Sequence, residues 1–202
     1  MKTNKTIAFF DVDTQHDFMS PKGALYVRGA RTISRNIRRL IASAAQQGIR
    51  IFSSTDAHVP GDPEMKVYPP HCIVGTPGQR KIPGTLLPDH AVVPTTRKLP
   101  QSELKCTLCH QQVILEKQAY DVFANPNTAP ILRASGAKRF IVFGVATDYC
   151  VVAAVLGLRR RGYAATVVSD AIRGITPEGT EKALEGMRRA GAKFATTDEV
   201  VG

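Results

Sequence analysis

The feature that most constrains the fold of this chain is the alternation of short apolar runs with longer segments of helical periodicity. The runs are rich in Val, Ile and Phe, and one helical segment places Ile33, Ile37 and Leu40 at spacings of three and four. Apolar strands that alternate with helices are typical of a parallel sheet covered on both faces. We therefore predict a doubly wound α/β fold, with a mostly parallel sheet in three α/β/α layers.

The periodicity places the elements of this fold along the chain. The predicted strands lie near residues 6–12, 49–54, 91–94, 113–116, 139–144, 164–168 and 193–195. The predicted helices lie near residues 30–47, 127–136, 150–161 and 177–190. A length of 202 residues fits one domain, 1–202. Between residues 55 and 99 the periodicity stops and Pro and Gly become frequent, which predicts a long loop region with a function.

Charge and composition narrow the classes of partner. The chain has 27 Lys and Arg against 17 Asp and Glu, but the basic residues are scattered, and their small clusters fall on predicted helices. We therefore expect no nucleic-acid partner. No run approaches the roughly 20 apolar residues that span a bilayer, so we expect no membrane contact and a cytoplasmic protein. Four unevenly placed cysteines do not form a disulfide framework.

Three reactive side chains follow predicted strands. Cys150 comes between an apolar strand and a helix, where backbone amides and the helix dipole favour a thiolate. Asp13 and Lys117 each come directly after a strand, and the C-terminal ends of parallel strands line one crevice. Taken singly, Cys150 fits equally well as a small buried hydrophobe. Asp13 and Lys117, each taken alone, fit better as a surface salt bridge or a cap. Together they predict a reactive cluster.

These residues belong to segments that resemble the isochorismatase-like cysteine hydrolases, and among them the nicotinamidases most closely. The resemblance covers nearly the whole chain. The segments that carry it are Asp-Thr-Gln-His-Asp-Phe at 13–18, Thr-Asp-Ala-His at 55–58, Tyr-Pro-Pro-His-Cys at 68–72, Gly-Thr-Pro-Gly at 75–78, Lys117 with Tyr-Asp-Val-Phe at 120–123, and Gly-Val-Ala-Thr-Asp-Tyr-Cys at 144–150.

The resemblance implies an amide hydrolase that converts nicotinamide to nicotinate and ammonia through a thioester. Cys150 would be the nucleophile, Asp13 the general base and acid, and Lys117 the residue that holds the pair in register and favours the thiolate. It also implies an oxyanion hole formed by the amides of Ala146 and Cys150, next to a cis peptide between Val145 and Ala146. Phe18, Tyr68 and Phe123 are candidate walls for a flat ring, although each fits equally well as ordinary core.

A metal site is expected in the long loop region. Asp56 and His58 are two residues apart, which in an extended segment puts both side chains on one side. His71, behind a stiff Pro-Pro pair, would be the third ligand. Glu64 is a candidate fourth ligand by the resemblance, and Asp62 competes for its place. A set of carboxylates and imidazoles without thiolate suits Zn²⁺ first, with Mn²⁺ or Fe²⁺ as alternatives.

Other interpretations stay open. Cys106, Cys109 and His110 match the spacing of a haem attachment site, half a zinc knuckle or a redox dithiol, but we expect thiols that are incidental or pack an insertion, with a small second metal site as the alternative. The chain could also hydrolyse another amide, carbamoyl compound or vinyl ether, or be a non-catalytic binding or thiol-sensing relative. We further expect a small-molecule substrate and a homo-oligomer.

Overall fold

The computed structural model describes residues 6–202, and its centre is a seven-stranded sheet. The strands are β1 (Ile7–Val12), β2 (Arg50–Asp56), β3 (His90–Val93), β4 (Gln112–Lys117), β5 (Arg139–Val145), β6 (Ala164–Arg173) and β7 (Lys193–Ala195). Their order is β3-β4-β2-β1-β5-β6-β7, and every neighbouring pair is parallel. This sheet confirms the predicted α/β fold class.

Helices cover both faces of the sheet. They are α1 (His16–Met19), α2 (Ala30–Gln46), α3 (Gln101–Thr107), α4 (Thr128–Ser135), α5 (Val152–Arg160), α6 (Pro177–Arg189) and α7 (Thr197–Val201). The buried cluster on one face contains side chains of α1 and α2, with α7 packed against it, and the cluster on the other face contains side chains of α3 to α6. None of the helices described has the length and apolar character needed to cross a membrane.

Each face of the sheet has its own apolar core. Successive side chains of a strand point to opposite faces, so Phe9 enters one core and Phe10 enters the other. On the first face, Ile37 and Leu40 of α2 are completely buried. Burying one such side chain stabilises a protein by about 1.5–3 kcal/mol. The packing of the helices on both faces of the sheet therefore holds the strands in register. That register decides which side chains meet at the strand ends.

The structure differs from the predicted elements at four places. Three short helices, α1, α3 and α7, were not predicted, because each is short or largely polar. Strand β6 continues to Arg173 rather than ending at residue 168, because the pairing of β5 with β6 shifts its register between Val142 and Gly144 and then resumes at Ile172. Gly144 is needed here, since a Cβ at this position would lie 2.0 Å from the Val12 carbonyl oxygen.

Candidate active site

The predicted reactive side chains meet at the C-terminal edge of the sheet. Asp13 directly follows β1, Lys117 ends β4, and Cys150 lies in the turn after β5. The Lys117 Nζ atom is 2.9 Å from Asp13 Oδ2 and 3.5 Å from Cys150 Sγ. All three side chains are buried. The structure therefore brings together one carboxylate, one ammonium and one thiol, which we call the triad.

Asp13 is fixed by its neighbours in the sheet. Its Oδ1 atom accepts a hydrogen bond of 2.7 Å from Ser54 Oγ, and its backbone N–H donates to the Ser54 carbonyl at 3.2 Å. The φ angle of Asp13 is 47°, in the left-handed region that non-glycine residues enter at a cost. Strand β2 therefore holds the Asp13 carboxylate where the chain leaves β1.

Burial dominates the electrostatics of the triad. It raises the pKa of Asp13, although the Lys117 charge partly opposes the shift. Burial also raises the pKa of the Cys150 thiol well above its ordinary value, again against the effect of Lys117. For Lys117 burial acts the other way, but the carboxylates of Asp13 and Asp56 outweigh it and raise the pKa of the ammonium. The resting site thus holds a neutral thiol beside an ammonium.

This result differs from the expectation of a resting thiolate at a helix N-terminus. Cys150 is the fourth residue of a π-helical turn, Thr147–Val151, and α5 begins only at Val152. The Val151 N–H donates to the Ala146 carbonyl at 3.1 Å, which closes this wider turn. Cys150 therefore lies inside the helical segment, and its side chain is buried apart from the small part that lines a pocket. The role of Asp13 as the acceptor of the thiol proton stays a prediction.

The peptide bond between Val145 and Ala146 is cis, as the family resemblance implies. It lies between the end of β5 and the turn that carries Cys150. Ala146 and Cys150 both line the pocket above the triad. The role of their amides as donors to an oxyanion stays a prediction.

The predicted metal ligands also converge. Ligand atoms of Asp56, His58 and His71 lie within 4.8 Å of one another, and the three residues are buried. The Nδ1 atom of His58 is 3.0 Å from Asp62 Oδ2, and the Nδ1 atom of His71 is 2.9 Å from the Pro69 carbonyl. These acceptors fix each ring with Nε2 as the free nitrogen, which is the usual arrangement of metal-binding histidines.

Two observations show that this cluster fits a metal ion. The His58 Nε2 atom is buried and has no hydrogen-bond partner among residues 6–202. Burial lowers the pKa of His58, but the nearby carboxylates of Asp56 and Asp62 outweigh it and raise the pKa to about 9, so a cation is favoured at this position. The ligands are carboxylate and imidazole, a set that suits Zn²⁺, Mn²⁺ or Fe²⁺.

The structure separates the two acidic candidates for a fourth ligand. Glu64 faces the cluster, with carboxylate oxygens 3.8 Å from His58 Nε2 and 3.9 Å from His71 Nε2. Asp62 lies on the far side of the His58 ring, where it contacts Nδ1. Asp62 also caps the turn Pro63–Lys66 by accepting from the Glu64 N–H at 3.2 Å. The geometry therefore favours Glu64 as the ligand and gives Asp62 a supporting position.

Asp56 joins the metal cluster to the triad. It is the register partner of Lys117 on the neighbouring strand, and its Oδ1 atom forms an ion pair with the Lys117 ammonium. Its other oxygen, Oδ2, is 3.7 Å from His58 Nε2. One carboxylate therefore contacts both halves of the site.

Asp13 and Cys150 of the triad line one pocket of about 410 Å³, part of it open to solvent, together with Asp56 and His71 of the metal cluster. Phe18 and Tyr68, two of the predicted ring walls, line it. Sequence reasoning missed other lining residues, which are Leu25, Val27, Tyr120, Val145, Tyr149 and Ile175. The sequence held a signal for two of them, since Tyr120 and Tyr149 lie within the segments that carry the family resemblance. The centroids of these two rings are 5.3 Å apart.

The prediction that Phe123 lines the pocket is wrong. Phe123 lies in the turn Val122–Ala124, and its ring packs under the Arg161 guanidinium at 3.8 Å. A Cβ at Gly157 would come within 2.4 Å of the ring, so Phe123 fills the space that this glycine of α5 leaves. The ring therefore supports α5 rather than the substrate pocket.

The segment with Cys106, Cys109 and His110 lies at the opposite edge of the sheet, ahead of β4. Both thiols are exposed and free. His110 Nδ1 contacts Asp89 Oδ1 at 2.7 Å, and within residues 6–202 the only group of side chains that fits a metal ion is Asp56, His58 and His71. The alternative of a second metal site in this segment is therefore not supported.

The fold and site define a class of α/β protein in which a cysteine after a central strand is paired with a carboxylate and a lysine. The model of the isochorismatase domain matches residues 8–199, and the chain belongs to this family. The nicotinamidase/pyrazinamidase of Mycobacterium tuberculosis is 31% identical over 199 residues, which cover 93% of this chain and 97% of that protein.

Two solved structures extend the comparison. The pyrazinamidase of Pyrococcus horikoshii in complex with zinc has a TM-score of 0.77 and 31% identity, covering 95% of this chain and 99% of that chain. The N-carbamoylsarcosine amidase of Thermoplasma acidophilum has a TM-score of 0.75 and 26% identity, covering 98% of this chain and 99% of that chain. Proteins named for different amide substrates thus share the architecture of this chain.

Proposed function

We propose that this chain is a metal-containing cysteine amidohydrolase that converts nicotinamide to nicotinate and ammonia. The observation that carries the proposal is that Asp13 and Cys150 line the same aromatic-walled pocket as Asp56 and His71, two of the three residues that could hold a metal ion. The first group can cleave a carboxamide, and the second can hold an ion that recognises a pyridine ring. The similarity to nicotinamidases and pyrazinamidases supports the same function.

The chemistry of the triad begins with proton transfer. Asp13 accepts the proton of the Cys150 thiol, and the sulfur attacks the carboxamide carbon to form a tetrahedral oxyanion. The raised pKa of Asp13 suits this step, because a carboxylate with a raised pKa is a stronger base for a neutral thiol. The Lys117 ammonium, 3.5 Å from the sulfur, stabilises the thiolate as it forms.

The next steps return the site to its starting state. The amides of Ala146 and Cys150 would donate to the oxyanion. Asp13 gives its proton to the departing nitrogen, which releases ammonia and leaves a thioester on Cys150. Asp13 then accepts a proton from the water that hydrolyses the thioester, and it passes this proton to the sulfur as the carboxylic acid leaves.

The metal ion would be held by Asp56, His58, His71 and Glu64, and we propose Zn²⁺. When bound, it would take the pyridine nitrogen as a ligand and so orient the ring. Phe18 and Tyr68 would bound the ring on its faces. These residues fix the substrate while the triad acts on its carboxamide, and orientation of this kind contributes a large share of enzymatic rate.

A direct assay tests the proposal. Purified protein, with its metal content measured in the same sample, is given nicotinamide, and ammonia and nicotinate are quantified. We expect equal amounts of both products, and none from a Cys150→Ala sample prepared in parallel. Bound zinc without any nicotinate would contradict the proposed substrate.

A second candidate is hydrolysis of another amide or carbamoyl compound, which the similarity to N-carbamoylsarcosine amidase favours. The same assay separates the two when N-carbamoylsarcosine and benzamide are included. Faster ammonia release from the carbamoyl compound than from nicotinamide would favour this second candidate. A protein with an intact triad and no turnover of any amide would instead be a binding relative.

A further inference from the structure

A second groove lies beside the active-site pocket and has a different chemical character. It encloses about 1570 Å³, open to solvent, between the segment before α2, the end of β6 and helix α6. Three arginines line it, namely Arg28, Arg173 and Arg188. We call it the arginine groove. Ile175 lines both this groove and the active-site pocket, so the two cavities share a wall.

The arginines of the groove lack acidic partners. Among residues 6–202, none of the three forms an ion pair with a carboxylate. Among the described residues that line the groove, Glu181 is the one acidic residue, against three arginines. This excess of positive charge on one concave surface favours an anionic ligand.

Two of the arginines are held in place without being neutralised. Arg173 Nε donates to the Arg28 carbonyl at 3.2 Å, and its guanidinium lies against Gly29. A Cβ at Gly29 would come within 2.8 Å of Arg173 Nε, so the close approach requires a glycine with its φ of 87°. The Arg188 guanidinium lies 4.9 Å from the centre of the Phe194 ring. Such contacts orient a guanidinium while its remaining N–H groups stay free to donate.

Within the described part of the chain, the positive charge of the groove comes from its arginines alone. Thr147 also lines the groove, but its hydroxyl, which has no hydrogen-bond partner among residues 6–202, is completely buried, so a ligand in the groove does not reach it. The N-terminus of α6 adds nothing to this argument, because the Asp148 carboxylate already accepts from the Ile175 and Thr176 amides.

We propose that the arginine groove binds a phosphate-bearing small molecule, held by Arg28, Arg173 and Arg188. The planar guanidinium group matches the oxygen spacing of phosphate, and charge-assisted hydrogen bonds of this kind are strong. The site is distinct from the pocket over Cys150, because its charged residues are absent from that pocket.

Calorimetric titration of the metal-loaded protein with inorganic pyrophosphate at low ionic strength tests the site. The double variant Arg28→Ser/Arg173→Ser should bind at least about tenfold more weakly, since two charge-assisted contacts are lost. The control is Lys138→Ser/Arg139→Ser, which removes the same charge from exposed residues at the opposite edge of the sheet and should bind like wild type. Arg188→Ser should weaken binding severalfold, with thermal unfolding run on every variant.

Each alternative has its own signature in this titration. If pyrophosphate binds the metal ion instead, its affinity for the double arginine variant will equal its affinity for wild type. That result would overturn the proposal. An equal loss in the Lys138→Ser/Arg139→Ser control would reveal attraction to net charge only and would overturn it too. Saturating nicotinamide should leave pyrophosphate affinity unchanged, and competition between the two would place the anion in the active-site pocket and contradict a separate groove.

Discussion

The triad and the metal cluster lie side by side, but the fold holds them in different ways. The triad residues lie at or directly after the ends of the parallel strands β1, β4 and β5, and strand register sets their distances. In the metal cluster only Asp56 belongs to a strand. His58 and His71 come from the following loop, which a single bridge between His58 and Ile73 ties together.

The loop depends on a few local contacts that the sheet does not need. The Cys72 N–H donates to Asp17 Oδ2 at 2.8 Å, and the other Asp17 oxygen accepts from Ala24 at 3.0 Å. Gly78 allows this approach, since a Cβ there would lie 2.1 Å from Asp17 Oδ2. The difference suggests that changes in the loop alter metal binding and substrate orientation, whereas changes at the strand ends alter the chemical step. The following predictions test this division.

The largest effect is expected for Cys150→Ala. Ammonia release from nicotinamide should fall to the level of a sample without enzyme, because the thiol is the nucleophile of the proposed mechanism. Zinc content, measured by mass spectrometry of the metal, should equal that of wild type, because the variant leaves the loop intact. Turnover close to wild type would remove Cys150 from the mechanism.

Asp13→Asn should be nearly as severe. The amide keeps the shape of the carboxylate but accepts no proton, and general acid–base roles are each worth roughly 10²–10⁴-fold in rate. Steady-state kinetics should give a strongly reduced kcat, with zinc content again unchanged. A decrease of less than about tenfold would mean that another group carries the proton.

Asp62→Asn tests the loop half of the comparison. Losing the carboxylate partner of His58 should weaken zinc binding by about 10–100-fold, the usual effect of changing a residue that hydrogen-bonds to a metal ligand. The matched control is Asp89→Asn, which alters a similar contact of 2.7 Å to His110 at the opposite edge of the sheet. Zinc affinity is measured by competition with a chromogenic chelator, and equal losses in both variants would contradict the supporting role of Asp62.

The smallest effect on catalysis is expected for Phe123→Leu. The KM for nicotinamide should stay within about twofold of wild type, while the free energy of unfolding should fall by about 1 kcal/mol from lost packing and the lost cation–π contact. Phe18→Leu is the comparison, since Phe18 lines the pocket and should raise KM. Steady-state kinetics and denaturant unfolding are measured on both variants. A raised KM in the Phe123 variant alone would mean that Phe123, rather than Phe18, contacts the substrate.

The same division explains what the sequence could predict. Strands β1, β4 and β5 are apolar runs with sharp ends, so the residues after them could be placed at one edge of a parallel sheet. The relation of Glu64 to Asp62 could not be predicted, because it depends on the turn Pro63–Lys66, which Asp62 caps and which directs Glu64 toward the histidines. Loop geometry of this kind has no periodic signal in the sequence.

Burial and ring direction were also beyond sequence reasoning. The position of Cys150 after a strand was clear, but the π-helical turn and its closed surroundings, which raise the pKa of the thiol, depend on packing from several elements. Phe123 lies in a family segment beside Tyr120, and nothing in the sequence indicates that Tyr120 faces the pocket while Phe123 packs on α5.

The central claim is that the triad performs the chemistry and the metal cluster orients the substrate. It is tested most directly by measuring ammonia release and iodoacetamide labelling of Cys150 in one sample, before and after treatment with EDTA and desalting. Labelling is read by peptide mass spectrometry, with the exposed Cys106 and Cys109 as internal reference thiols. The variant His58→Ala removes one predicted metal ligand and leaves the three triad residues unchanged, so it serves as the genetic equivalent of metal removal. The His58 Nε2 atom is 3.7 Å from Asp56 Oδ2.

The account predicts that metal removal lowers ammonia release by about tenfold or more and that added zinc restores it. Labelling of Cys150 relative to the reference thiols should change by less than about threefold, because the reactivity of the thiol depends on Asp13 and Lys117. The His58→Ala protein should give the same pair of results. A parallel loss of ammonia release and labelling would contradict the division of roles, and a loss of neither would assign Asp56, His58 and His71 to structure alone.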